Sequence, residues 1–155
     1  MSADHVIRGE HRKKFSQSSL FDRAFTLGVI ATQAALHQSL RVVSTSALQT
    51  AASRAARLYR HAPLPKPTPS WIAERTAIAT ELNPFPVECI AESITLWGML
   101  RAGDHPAVLQ LGVRNVLGHV EAHVWVELDG AVVNDPLGES TTWEPFDRAW
   151  AGANA

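Results

Sequence analysis

Apolar residues in the first third of this chain return every three or four positions: Leu36, Leu40, Val43, Ala47, Ala51, Ala55 and Leu58 trace one face of helical structure. Ser19 with Asp22, and Ser46 with Gln49, have the spacing of capping boxes, so the pattern predicts one helix over 20–43 and a second over 47–60. Pro63, Pro65, Pro67 and Pro69 then alternate through a segment expected to be extended and stiff, and this is the expected domain boundary. Beyond it Ser70 is placed to cap a short helix over 71–80, and Asn83-Pro84-Phe85-Pro86 turns the chain. Ile90, Ile94, Trp97 and Leu100 give the next helix a single apolar face, with Gly103 expected as its left-handed cap. After Gly103 the period shortens. Residues 107–114 and 120–128 are rich in Val and Leu, and 131–134 follows the turn signal Asp129-Gly130, so this part reads as antiparallel strands. Helices first and strands afterwards predict an α+β fold.

At 155 residues with 46% hydrophobic content, the chain can bury one ordinary core. The overall charge of −1 hides an asymmetry: residues 1–66 carry ten Lys or Arg against three acids, and residues 67–155 carry four against twelve. Two regions are expected on these grounds: a basic helical N-terminal region with a Pro-rich linker over 1–66, and a second domain over 67–155. Residues 1–17 are polar, basic and aperiodic and are expected to be disordered. The basic region is a candidate for contact with an acidic partner or, peripherally, with an anionic membrane, against the plainer reading of a solvated helical face. Arg12-Lys13-Lys14 ahead of the apolar stretch 24–36 imitates a secretion signal. Asp22, Arg23 and Gln33 interrupt it and no small-residue cleavage site follows, so a cytoplasmic amphipathic helix is expected instead. No run of about eighteen apolar residues suits a membrane span. No glycine-rich phosphate loop suggests a nucleotide, and no basic patch surrounds Trp71, Trp97 or Trp125, which argues against nucleic acid.

Chemistry enters with Cys89, the single cysteine, at the start of its predicted helix. Unpaired N–H groups and the positive end of the helix dipole favour thiolate over thiol at such a position. His123 follows in the second predicted strand and Asp135 lies just beyond the next one, so a thiol, a base and an orienting carboxylate occur in order. Taken singly, a cysteine in an apolar helix is a small buried hydrophobe and a strand histidine is a structural residue. Together the three predict a Cys-His-Asp triad, with no cofactor. A zinc site built on His119, His123, Cys89 and Asp135 is the alternative, but a strand separates two histidines four positions apart. A two-residue turn at Asp129-Gly130 would place Asp135 on the face opposite His123. A three-residue loop, Leu128-Asp129-Gly130, would pair Glu127 with Ala131 and set Asp135 across from His123, and this is the register expected. The Cys89 N–H is the natural first oxyanion donor. Asn83 is a candidate second donor, and Trp125 a candidate pocket wall or substrate contact.

Cys89 with Ser93 and Leu96, Gly103, Gly112-Val113, His123-Val124-Trp125-Val126-Glu127 and Asn134-Asp135 together resemble the transglutaminase-like cysteine peptidase of lasso-peptide biosynthesis, the catalytic half of the B protein. The resemblance implies a papain/transglutaminase-like fold over 67–155, with Cys89 as nucleophile, His123 as base and Asp135 as orienting acid. It implies leader removal from a precursor peptide, a separate leader-recognition protein that presents the precursor, and a macrolactam synthetase acting next. Val124 stands where the family commonly has alanine, and acidic Glu92 stands near where a basic residue is frequent. Two further functions remain open: acyl transfer by the same triad, as in transglutaminases or arylamine acetyltransferases, and a catalytically silent module holding a peptide along a sheet edge.

Overall fold

Helices precede strands in the computed structural model, which describes residues 3–39, 67–135 and 142–146 together with 44, 47, 50, 51, 53, 54 and 57. Its elements are α1 (Ala3–Gln17), α2 (Leu20–Ser39), α3 (Pro69–Leu82), α4 (Cys89–Ala102), β1 (Val108–Val116), β2 (His119–Leu128), β3 (Ala131–Val132) and β4 (Glu144–Pro145). The sheet runs β3-β2-β1-β4 with every pairing antiparallel, so the fold is α+β and consistent with a transglutaminase-like or papain-like architecture.

The N-terminal part corrects one expectation. Residues 3–17 are helical, and Lys14 Nζ of this helix reaches Glu74 Oε1 of α3 at 3.1 Å. α2 begins as its sequence predicts. Asp22 N donates to Ser19 Oγ at 3.1 Å and Ser19 N returns a bond to Asp22 Oδ2 at 3.2 Å, closing the capping box. The predicted extension of α2 to Val43 lies outside the described residues, as do Ser46, Gln49 and most of the expected helix over 47–60. The prolines at 63 and 65 lie outside them too.

α3 starts earlier than predicted. Thr68, not Ser70, is the cap: its backbone is extended, its Oγ1 accepts from Trp71 N at 3.4 Å, and Pro69 takes the first helical position, where a missing N–H costs nothing. Trp71 ties α3 to α2, with its ring 4.6 Å from that of Phe25 and Nε1 donating to Asp22 Oδ1 at 3.1 Å.

α4 presents Ile94, Trp97 and Leu100 to the core as its spacing predicts. There they meet Ile72 of α3, Leu109 of β1, and Val124 and Val126 of β2. Fully burying each such aliphatic side chain contributes about 1.5–3 kcal/mol. The helix ends differently from expectation. Gly103 keeps φ at −76°, and Asp104 at φ 71° is the left-handed residue, with His105 N donating to Leu100 O at 3.0 Å in a Schellman closure. A Cβ at Gly103 would instead crowd the His105 ring, at 3.0 Å.

β1 and β2 pair along their whole length, with Gly112 opposite His123. The β2–β3 register overturns the expected three-residue loop: Leu128 pairs with Ala131 and Glu127 with Val132. Asp129 at φ 51° and Gly130 at φ 78° both adopt the left-handed conformation of a type I′ turn. Aspartate tolerates that conformation, and the turn's twist matches its strands. Extended strictly, this ladder would carry Asp135 to the face away from His123. It stops first, because β3 ends at Val132.

Candidate active site

Cys89 is the first residue of α4, partly buried and with a free thiol. Glu88 caps the helix through its carbonyl, which accepts from Ala91 N at 2.9 Å and Glu92 N at 3.1 Å. The Cys89 N–H therefore has no carbonyl within the helix to bond, as at any helix start. His37 from the last turn of α2 approaches the same end, its Nδ1 3.9 Å from Glu88 Oε1. One turn into α4, burial and then the negative charge of Glu81 push the Glu92 carboxyl up to about 7.

Where β3 stops, side chains take over its hydrogen bonds. Val126 O still accepts from Val133 N at 2.9 Å, but Val126 N donates to Asn134 Oδ1 at 2.8 Å rather than to a backbone carbonyl. Asn134 Nδ2 donates to Ser93 Oγ at 2.9 Å, and Ser93 Oγ donates to Val124 O at 2.8 Å. Val124 and Val126 are two apart on one strand, so both use the same edge of β2. α4 is thus tied to that edge at the point where β3 departs. Each predicted catalytic residue adjoins one member of this knot. Cys89 is one helical turn before Ser93, His123 immediately precedes Val124, and Asp135 immediately follows Asn134.

Strand alternation puts Val124 toward the helices and His123 on the other face, beside Trp125 and Gly112. The His123 ring lies 6.0 Å from Trp125 and 5.2 Å from Trp143, nearly parallel to both. Trp125 is buried and donates through Nε1 to Glu127 Oε1 at 2.9 Å. The β2–β3 register ends at Val132 and does not reach Asp135, so the ladder does not set Asp135 across from His123. Asn83 is engaged within the fold: Nδ2 donates to Ile30 O and Gln33 Oε1, both at 3.4 Å, and Oδ1 accepts from Phe85 N at 3.1 Å. Among the described residues no three His, Cys, Asp or Glu side chains cluster as metal ligands would, and His119 and His123 are held apart by the strand they share.

Trp143 and Asn134 carry more of this region than their sequence context shows. Nothing in the run around Trp143 marks it as a neighbour of His123. Asn134 enters the sequence reading only as the neighbour of Asp135, with no sign of the hydrogen bonds it makes to Val126 and Ser93.

No curated protein and no solved structure matches the chain at a significant level. A family profile described as the transglutaminase-like superfamily matches residues 32–148, from within α2 to beyond β4 and across all three predicted catalytic positions. With most of its length matched, and its helices packed on an antiparallel sheet, the chain belongs to the transglutaminase-like superfamily.

Proposed function

We propose that this protein is a cysteine peptidase that removes the leader from a ribosomally made lasso-peptide precursor, with Cys89 as nucleophile, His123 as base and Asp135 orienting the imidazole. The observation that supports the reading is the Ser93–Val124–Asn134 knot, whose three members are close sequence neighbours of Cys89, His123 and Asp135, within a chain of the transglutaminase-like superfamily. His123 takes the thiol proton and the sulfur attacks the scissile carbonyl, with the Cys89 N–H donating to the oxyanion. Collapse to the thioester releases the amine, which receives the proton from the imidazolium. Water, deprotonated by His123, then hydrolyses the thioester to a carboxylate and restores the thiol. The products are the leader with a free carboxylate and the core peptide with a free amino group, the group a macrolactam synthetase needs. A separate recognition protein presents the precursor, and the reaction belongs to the cytoplasm, where a lone thiol stays reduced.

Mass spectrometry of a candidate precursor incubated with the protein, with and without a leader-binding partner, tests this. Two fragments are expected from the wild type and intact precursor from Cys89→Ala; undiminished cleavage by that variant ends the proposal. Superfamily membership favours a second reading, acyl transfer to an amine, which differs in product mass because a new amide replaces the free carboxylate.

A further inference from the structure

Gly112, on β1, faces His123 across the ladder and leaves an open site beside it. Two indoles fill that site: a Cβ on Gly112 would come within 2.8 Å of the Trp125 ring and 3.0 Å of Trp143 Cβ. β4 brings Trp143 there by pairing Pro145 with Gly112 and Glu144 with Val113. The imidazole is then stacked on both indoles, with interplanar angles of 21° to Trp125 and 26° to Trp143. Both tryptophans are buried. Trp143 is itself held, because the Arg114 guanidinium carbon lies 4.1 Å from its ring centroid. Arg114 is fixed in turn by Nε donating to Glu121 Oε2 at 2.9 Å and Nη1 donating to Thr142 Oγ1 at 3.3 Å.

We infer that Trp143 is a positioning residue for the His123 imidazole, with Arg114 as its brace. The inference rests on the reading of His123 as the base. An unpacked strand histidine samples several χ1 and χ2 wells, and only a narrow range of ring orientations serves proton transfer. Stacking on two near-parallel rings removes the others. Aromatic pairs of this geometry contribute beyond their buried area, and the cation over Trp143 adds to the brace. The two indoles differ in origin: Trp125 lies on the same strand as His123, whereas Trp143 arrives from β4, so the second half of the stack forms only when β4 docks.

Because Cys89 is the only cysteine, its rate of alkylation by iodoacetamide reads the site directly and needs no peptide substrate. His123→Ala should slow alkylation, and Trp143→Leu should slow it by about 10-fold while the protein stays folded by circular dichroism. Trp143→Phe, which keeps an aromatic ring, should recover most of the rate, and Arg114→Gln should give an intermediate loss. The double variant His123→Ala/Trp143→Leu should be no slower than His123→Ala alone, since a positioning residue acts only through the group it positions. Nuclear magnetic resonance supplies a readout apart from reactivity: the His123 ring protons should be shifted by the indole ring currents in the wild type and move in Trp143→Leu. A normal alkylation rate in Trp143→Leu beside a slow His123→Ala overturns this inference alone. A normal rate in His123→Ala overturns the reading of His123 as base, and the positioning role with it. Additive losses in the double variant assign Trp143 a general structural role and overturn the inference too.

Discussion

Glu92 is subject to opposing influences. The positive end of α4 favours its ionised form, yet burial and Glu81 together prevail and push its carboxyl to about 7 from the usual 4.5. A carboxyl raised in the folded state favours folding while it is protonated. Its contribution is therefore complete below about pH 4.5, declines as pH rises, and is lost above about 7. Glu92→Gln should remove that decline, so the variant gains on the wild type between pH 5 and 8, by about 3 kcal/mol at most. Urea unfolding at the two pH values measures this; an equal offset at both would show that Glu92 does not titrate in that range. The acidic identity of this position is visible in the sequence, but its altered ionisation is not, since it depends on burial in the folded chain and on Glu81 of α3.

The decisive contact between elements is the one α4 makes with the edge of β2. Ser93 and Asn134 satisfy backbone groups of Val124 and Val126 that a longer β3 would have bonded. Removing either side chain leaves buried polar partners unmatched, so Ser93→Ala and Asn134→Ala should each cost about 1–3 kcal/mol. Because they share one hydrogen bond, the double variant should cost less than the sum, as urea unfolding of the four proteins would show. Additive losses would mean that the knot does not act as a unit. The helical face of Ile94, Trp97 and Leu100 was legible from spacing alone, because burial follows period. The caps were less legible. Thr68 and Ser70 are equally plausible by residue type, and only the backbone path selects Thr68. Gly103 and Asp104 divide the expected role, one supplying space and the other the left-handed turn.

At the scale of the molecule, α2 ties the N-terminal helices to the segment that leads into the cysteine helix. Its buried Gln33 donates to Thr80 Oγ1 at 2.8 Å and accepts from Asn83, at the end of α3. Gln33→Ala should therefore destabilise the protein by about 1–3 kcal/mol. In a chain of this size that lowers the thermal midpoint by roughly 2–4 °C per kcal/mol, and an unchanged midpoint would show that α2 docks without this contact. The sequence by itself determined the order of elements, the buried face of α4 and the identity of Cys89, His123 and Asp135 as candidates, because period, turn residues and residue chemistry are local properties. Tertiary structure alone decided the rest. The exit of the chain at Asn134 and the stack of Trp143 on His123 each depend on groups distant in sequence competing for the same hydrogen bonds and the same space.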